Sequence, residues 1–157
     1  MKVRQFMIQT PVTASGSTTL RELLQLLVDN KIGGVPVVNE EHQLIGMISD
    51  GDVLRYIRPM SGRVYDFFSY TIQTDAQTLD ESVTSKLQTR VDKVMVKKGL
   101  YKVSSNDPID TALDILSKHH FKKIPVVDGD KVVGVISRGD VIRQLVNTYV
   151  LDSPSPS

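Results

Sequence analysis

The stretch that decides the fold is Lys122–Arg143, KKIPVVDGDKVVGVISRGDVIR. An apolar tetrad, Ile124-Pro125-Val126-Val127, runs into the Asp128-Gly129 turn signal, and a second apolar run from Val132 to Ile136 ends in Ser137-Arg138-Gly139-Asp140. That order reads as strand, tight turn, strand, then a polar loop opening a helix. The unit occurs twice. Val35-Pro36-Val37-Val38 matches the tetrad at an offset of 89, and Gly46–Arg55 matches Gly134–Arg143 at an offset of 88. The change falls in the hairpin turn, where Asn39–Gln43 is one residue longer than Asp128–Lys131, and turns are where chains absorb insertions. Upstream, Leu20, Leu23, Leu24 and Leu27 match Ile109, Ala112, Leu113 and Leu116 at 89, on helical i, i+3, i+4, i+7 spacing.

The duplicated pattern resembles the CBS domain family, named after cystathionine β-synthase. The residues that carry the resemblance are the hydrophobic-Pro-Val-Val strand, the Gly-hydrophobic-hydrophobic-Ser strand end, and Ser-x-x-Asp, present as Ser49 to Asp52 and Ser137 to Asp140. It covers about 3–58 and 91–148. The resemblance implies an α/β (α+β) fold of two β-α-β-β-α repeats related by a pseudo-two-fold axis and working as a stand-alone tandem pair, a Bateman module. It further implies adenosine-containing ligands and pairing into flat homodimeric discs.

Composition sets outer limits. A chain of 157 residues buries enough surface to fold without staples, and the absence of cysteine removes disulfides, thiolate metal sites and a cysteine nucleophile. A net charge of +1 gives no general attraction to nucleic acid or anionic lipid. No run approaches 18 apolar residues and Met1-Lys2-Val3-Arg4 leads into no signal-peptide core, so the expectation is a soluble cytoplasmic protein with no nucleic-acid or membrane partner. GxxxxGK[ST], GxGxxG and HExxH are missing, and Asp50-Gly51-Asp52 is too short for a calcium loop. The sequence therefore supports no catalytic residues, no metal and no obligatory cofactor.

The expected organisation is repeat one over 1–58, an aromatic-rich connector over 59–90, repeat two over 91–150 and a mobile Ser-Pro tail over 151–157. Residues 3–19 read as an extended lead-in, with Thr18 or Thr19 capping a helix that ends near Asn30 and Glu22 completing a capping box. In the connector, Leu79 to Leu87 and on to Val94 reads as one helix capped by Asp80. Tyr65, Phe67, Phe68 and Tyr70 are four of nine aromatics; the reading is that Phe67 and Phe68 pack on a repeat or a homodimer interface, against the alternative of a lid. In repeat two, Asp107-Pro108 reads as N-cap and first helical residue.

Each Ser-x-x-Asp sits where a strand hands over to a helix, beside free backbone amides. A carboxylate there can accept both hydroxyls of a ribose, and a serine with the amides can hold a phosphate or the sugar edge; equally, the pair can simply cap the helix. The repeat-two candidates are His120, Phe121, Lys122, Lys123, Ile124, Pro125, Ile136, Ser137, Arg138 and Asp140. Those of repeat one are Thr10, Ile32, Gly34, Val35, Pro36, Ile48, Ser49, Asp50 and Asp52. Cations cluster in repeat two, with His119 adding to them, whereas Asp50 stands where repeat two has Arg138. A phosphate-bearing ligand is therefore expected to prefer repeat two, leaving repeat one to hold an uncharged nucleoside, a phosphate reached by the other repeat, or nothing. Together these readings imply an adenine-nucleotide sensor (AMP, ADP, ATP, S-adenosylmethionine or a cyclic dinucleotide) that signals ligand state to an effector protein. A ligand-independent interaction module is the alternative, and a small nucleotide-processing enzyme a third class without positive support.

Overall fold

The computed structural model describes residues 1–59, 64–67, 70–73, 78–118 and 123–151. Repeat one opens with a 3-10 turn at Val3–Gln5, followed by β1 (Ile8–Gln9), β2 (Ala14–Ser15), α1 (Leu20–Asn30), β3 (Gly34–Val38), β4 (Leu44–Ser49) and α2 (Asp50–Ile57). The connector contributes β5 (Val64–Phe67), β6 (Tyr70–Gln73) and α3 (Leu79–Lys86). Repeat two has a 3-10 turn at Val91–Lys93, α4 (Ile109–Lys118), β7 (Lys123–Asp128), β8 (Lys131–Ser137) and α5 (Arg138–Val146), prolonged by a π-helical turn over Asn147–Leu151.

The two repeats exchange their lead-ins. Val3 and Phe6 lie in the core of repeat two with Ile109, Ala112, Ile124 and Ile136, while Val91 lies in the core of repeat one with Leu20, Leu23, Val35 and Ile48. The backbone enforces the exchange in matched pairs. Val3 N–H donates to Asp107 C=O (2.9 Å) as Val91 N–H donates to Thr18 C=O (2.7 Å), and Ile109 N–H donates to Met1 C=O (3.0 Å) as Leu20 N–H donates to Thr89 C=O (2.9 Å). Further along, β1 pairs antiparallel with β8 (Ile8 opposite Val135), and Val96 bridges Met47 of β4 in the equivalent register. Each repeat's own lead-in then pairs in parallel with its first hairpin strand, Ala14 opposite Val37 and Val103 opposite Val126. These reciprocal pairings are the pseudo-two-fold symmetry expressed in hydrogen bonds.

Two glycines make room for the crossing strands. A Cβ on Gly134 would meet Ile8 O at 2.8 Å, and one on Gly46 would meet Met95 Sδ at 2.5 Å and Val96 O at 3.0 Å. The hairpins, buried along nearly all of β3 and β7 as their unbroken apolar runs require, meet at their tips through Val38, Val127, Val132 and Leu44.

α1 is capped by Thr19, whose Oγ1 accepts from Glu22 N–H at 3.2 Å. Four expectations change. The single helix over 79–94 is instead α3, ending at Lys86, and a separate turn at Val91–Lys93; its N-cap is Thr78, not Asp80, because Thr78 and Glu81 form a reciprocal capping box. The break follows from the exchange, since Leu87 and Thr89 must offer their carbonyls to the start of α1. Asp107 does not cap α4: its carboxylate turns back to Ser104 N–H (2.8 Å), and the helix starts at Ile109 after Pro108. Finally, β5 and β6 pair antiparallel, Val64 opposite Gln73 and Phe67 opposite Tyr70, strands that the sequence did not predict. The packing expected of Tyr65, Phe67, Phe68 and Tyr70 lies outside what is described, as does the tail beyond Leu151.

Gly134→Ala is expected to cost about 1–3 kcal/mol by urea denaturation, because the added Cβ would meet the backbone oxygen of Ile8, which cannot yield as the equally close Met7 side chain can. An unchanged midpoint would show that the β1–β8 contact is dispensable. At the end of β7, Asp128 accepts from the Ser105 hydroxyl, from Ser105 N–H (2.9 Å) and from the Ser104 hydroxyl (2.8 Å), and these bonds, Ser105's foremost, hold its pKa below the ordinary 3.8. A lowered carboxylate pKa stabilises the fold above the unfolded value and loses that contribution as pH falls through the folded one. Asp128→Asn should therefore cost about 1 kcal/mol at neutral pH, with the difference from the parent shrinking below about pH 4. A pH-independent difference would remove the carboxylate's charge from the account.

Candidate functional site

Both Ser-x-x-Asp motifs fold as reciprocal helix caps. Asp52 Oδ2 accepts from Ser49 N–H (2.9 Å) and Ser49 Oγ–H (3.0 Å), while Ser49 Oγ accepts from Asp52 N–H (3.3 Å). Asp140 and Ser137 repeat the arrangement at 2.9, 2.7 and 3.2 Å. The remaining oxygen, Oδ1, receives Arg55 in one repeat (2.7 Å) and Arg143 in the other (2.6 Å). An acid at N3 reaching back to the strand's last amide is what the Ser-x-x-Asp spacing provides. Both arginines are about two-thirds exposed, so each swings away at little cost and frees Oδ1 for a hydroxyl donor. The Asp52 side chain is 16% exposed and that of Asp140 is 6% exposed, so repeat one offers the more accessible carboxylate.

A cavity of about 530 Å³ opens beside the first motif. Gly34, Ile48, Ser49, Asp50 and Asp52 line it together with Gly51, Met47 and Arg55. Its opposite wall comes from the second lead-in, through Val96, Gly99, Leu100 and Tyr101, and from β7 of repeat two, through Lys123 and Pro125. The cavity thus combines a helix N-terminus, a carboxylate, an apolar slot and an aromatic ring, with a lysine delivered from the other repeat. Burial lowers the pKa of Lys123, partly opposed by the negative charge of Asp140. Among the described residues no carboxylate lies within ion-pair distance of that lysine.

The remaining candidates are distributed as follows. Val35, Pro36, Ile124 and Ile136 are fully buried core residues, and Ile32 packs against the core of repeat one. Thr10, grouped with repeat one by sequence, follows the strand that pairs with β8 and so belongs beside repeat two; its φ of 48° is matched by Gly99 at 69°, the equivalent bend of the other lead-in. Arg138 donates its Nε–H to the C=O of Leu116 (3.0 Å), serving the carbonyl end of α4. His119, His120, Phe121 and Lys122 lie outside the described residues. The sequence reading missed the second lead-in as a wall of the cavity, and missed Arg55 and Arg143. The arginines were signalled by their match at an offset of 88, three residues after each aspartate. The lead-in carried no such signal, because the exchange is a tertiary fact.

Among the described residues, no helix is long and apolar enough to cross a membrane. The chain is 32% identical over 131 residues to the chloroplastic CBS domain-containing protein CBSX1 of Arabidopsis thaliana, matching 81% of itself and 56% of that protein's length. It is 27% identical over 150 residues to protein MJ1426 of Methanocaldococcus jannaschii, covering 88% of each. The solved structure of Arabidopsis CBSX2 in complex with AMP superposes with a TM-score of 0.70 at 26% identity, over 93% of this chain and 96% of that one. The AcuB protein of Vibrio cholerae shares the fold at a TM-score of 0.73 and 23% identity, over 94% and 91% of the two chains. The CBS domain model matches residues 3–59 and again 91–147, the two halves joined by exchanged lead-ins, and the chain belongs to the CBS domain family.

Proposed function

We propose that the protein is an adenine-nucleotide-binding regulatory module, with no catalytic step of its own, that holds its ligand in the cavity at Ser49 to Asp52 and relays occupancy to a partner protein. The observation that carries this reading is the convergence, on one 530 Å³ cavity, of the Asp52 carboxylate, the amides opening α2, an apolar slot and the Lys123 ammonium. Asp52 Oδ1 takes the ribose hydroxyls once Arg55 yields, and Met47, Val96 and Tyr101 flank the base. Lys123 reaches the phosphate from the other repeat. Of the options open to repeat one from sequence, this is the phosphate reached by its neighbour. The AMP complex of CBSX2, similar over nearly the whole chain, supports the ligand class.

The competing reading, a ligand-independent interaction module, draws on the complete capping boxes, in which each aspartate already has protein partners. Under either reading, self-association would use the helices: Leu54 on α2 and Ile142 on α5 are equivalent positions, 63% and 59% exposed, and aliphatic side chains so exposed at matched sites suit a two-fold interface. Sedimentation velocity is expected to give a dimer that Leu54→Glu weakens.

Two measurements test the ligand assignment. By titration calorimetry, Asp52→Asn should weaken AMP about tenfold or more and reduce the preference for AMP over 2′-deoxy-AMP, since a charge-assisted hydrogen bond is worth about 1.5–3 kcal/mol. A larger loss from Asp140→Asn would move the site to repeat two, and failure of AMP, ADP, ATP, S-adenosylmethionine and cyclic di-AMP alike to bind would leave the interaction module standing. Lys123→Met separates binding from folding. A lysine whose pKa is lowered on folding costs stability at neutral pH, a cost that disappears as pH rises through the folded value towards 10.5. The substitution should therefore raise the melting temperature of the ligand-free protein while weakening AMP; a change of the same sign in both would assign Lys123 a structural role.

A further inference from the structure

A second cavity, of about 490 Å³, lies between the hairpin tips and contains no residue of either Ser-x-x-Asp motif. Leu44, Ile45, Leu100 and Val127 form its apolar wall, and Lys97 and Lys102 stand on its lead-in side. Asn39, Gln43 and Asp130 complete the lining. Against these two lysines the lining holds the single carboxylate of Asp130.

This charge is not part of the duplicated pattern. Lys97 and Lys102 correspond to Gln9 and Thr13 of the first lead-in, and the second lead-in is one residue longer, with four lysines and no acid between Lys93 and Lys102. Like charges gathered on one short segment repel, and nothing in the folding of the first lead-in requires them. Asn39 cannot compensate, since its side chain is spent within the turn: Oδ1 accepts from Gln43 N–H (2.9 Å) and Nδ2 donates to Gln43 Oε1 (2.8 Å). The combination of an apolar wall with a cationic rim matches an amphipathic anion.

We propose that the cavity between the hairpin tips is a second ligand site, independent of the adenosine cavity, for an organic anion whose carboxylate, sulfonate or phosphate ester meets Lys97 and Lys102 and whose apolar body lies against Leu44, Ile45, Leu100 and Val127. The two cavities share Leu100, so a ligand in one abuts the wall of the other.

The test is an NMR titration of the full chain with 8-anilinonaphthalene-1-sulfonate, an aromatic sulfonate of the required class. Saturating amide shifts are expected at Leu44, Ile45, Leu100 and Val127. The double variant Lys97→Gln/Lys102→Gln should weaken those shifts at least about fivefold, while the control Lys31→Gln/Lys118→Gln, which removes equal charge elsewhere, should leave them within about twofold. Adding AMP should leave the probe bound. Shifts confined to Ser49–Arg55, one-for-one displacement by AMP, or equal weakening in both double variants would each overturn the proposal. Failure of AMP to bind at all would bear on the adenosine cavity alone.

Discussion

The reciprocal exchange of lead-ins is the constraint from which the rest of the molecule follows. Val3 in the second core and Val91 in the first are fully buried, and each is fixed by backbone bonds to the loop that precedes the other repeat's helix. Neither core is complete without the other half of the chain. The exchange dictates glycine at positions 46 and 134, where the visiting strand crosses β4 or β8 at backbone contact distance. It also breaks the connector helix at Lys86, because the residues beyond must serve the first turn of α1. A feature that looks like a family signature in the sequence, the glycine before the hydrophobic pair, is thus a steric requirement of the topology.

The same exchange builds the candidate site. A cavity made by one repeat alone would have the helix N-terminus and its carboxylate but only one wall. The second lead-in supplies Val96, Gly99, Leu100 and Tyr101, and β7 supplies Lys123 and Pro125, so three separate chain segments line the cavity. The docking of α3 extends the construction towards the connector. Ser82 donates its hydroxyl proton to the C=O of Ile57, and Lys86 Nζ–H donates to the C=O of Tyr56 at 2.7 Å while lying over that ring. One short helix, α2, therefore has its N-terminus at the cavity and its C-terminus under the connector.

Much of this was legible beforehand because it is local. Hairpin, turn and cap are written in neighbouring residues, so α1, β3, β4, α2, β7 and β8 fall close to where periodicity and turn chemistry put them. Residues of the candidate cavity were legible where the motif itself lines it, as with Ser49, Asp50 and Asp52. What the sequence could not carry is long-range. Thr10 was grouped with the wrong neighbour because alignment assigns a lead-in to the repeat it precedes, whereas its strand pairs with the other sheet. Lys123 was read as a cation of repeat two and lines the cavity of repeat one for the same reason. Asp80 lost the cap to Thr78 because two capping choices two residues apart differ by little locally, and the Thr78–Glu81 reciprocity decides between them.

The interlocked cores carry an implication for origin. A primitive chain holding one repeat would have had a lead-in with no core of its own to enter, and an unfilled position where Val3 or Val91 now sits. Two such chains satisfy each other at once, each lending its first residues to its twin. A symmetric pair of single-repeat chains would therefore close both cores with the contacts that this one chain makes internally. Joining the halves in one chain makes that encounter intramolecular, and it lets the two lead-ins differ, one rich in lysine and the other not.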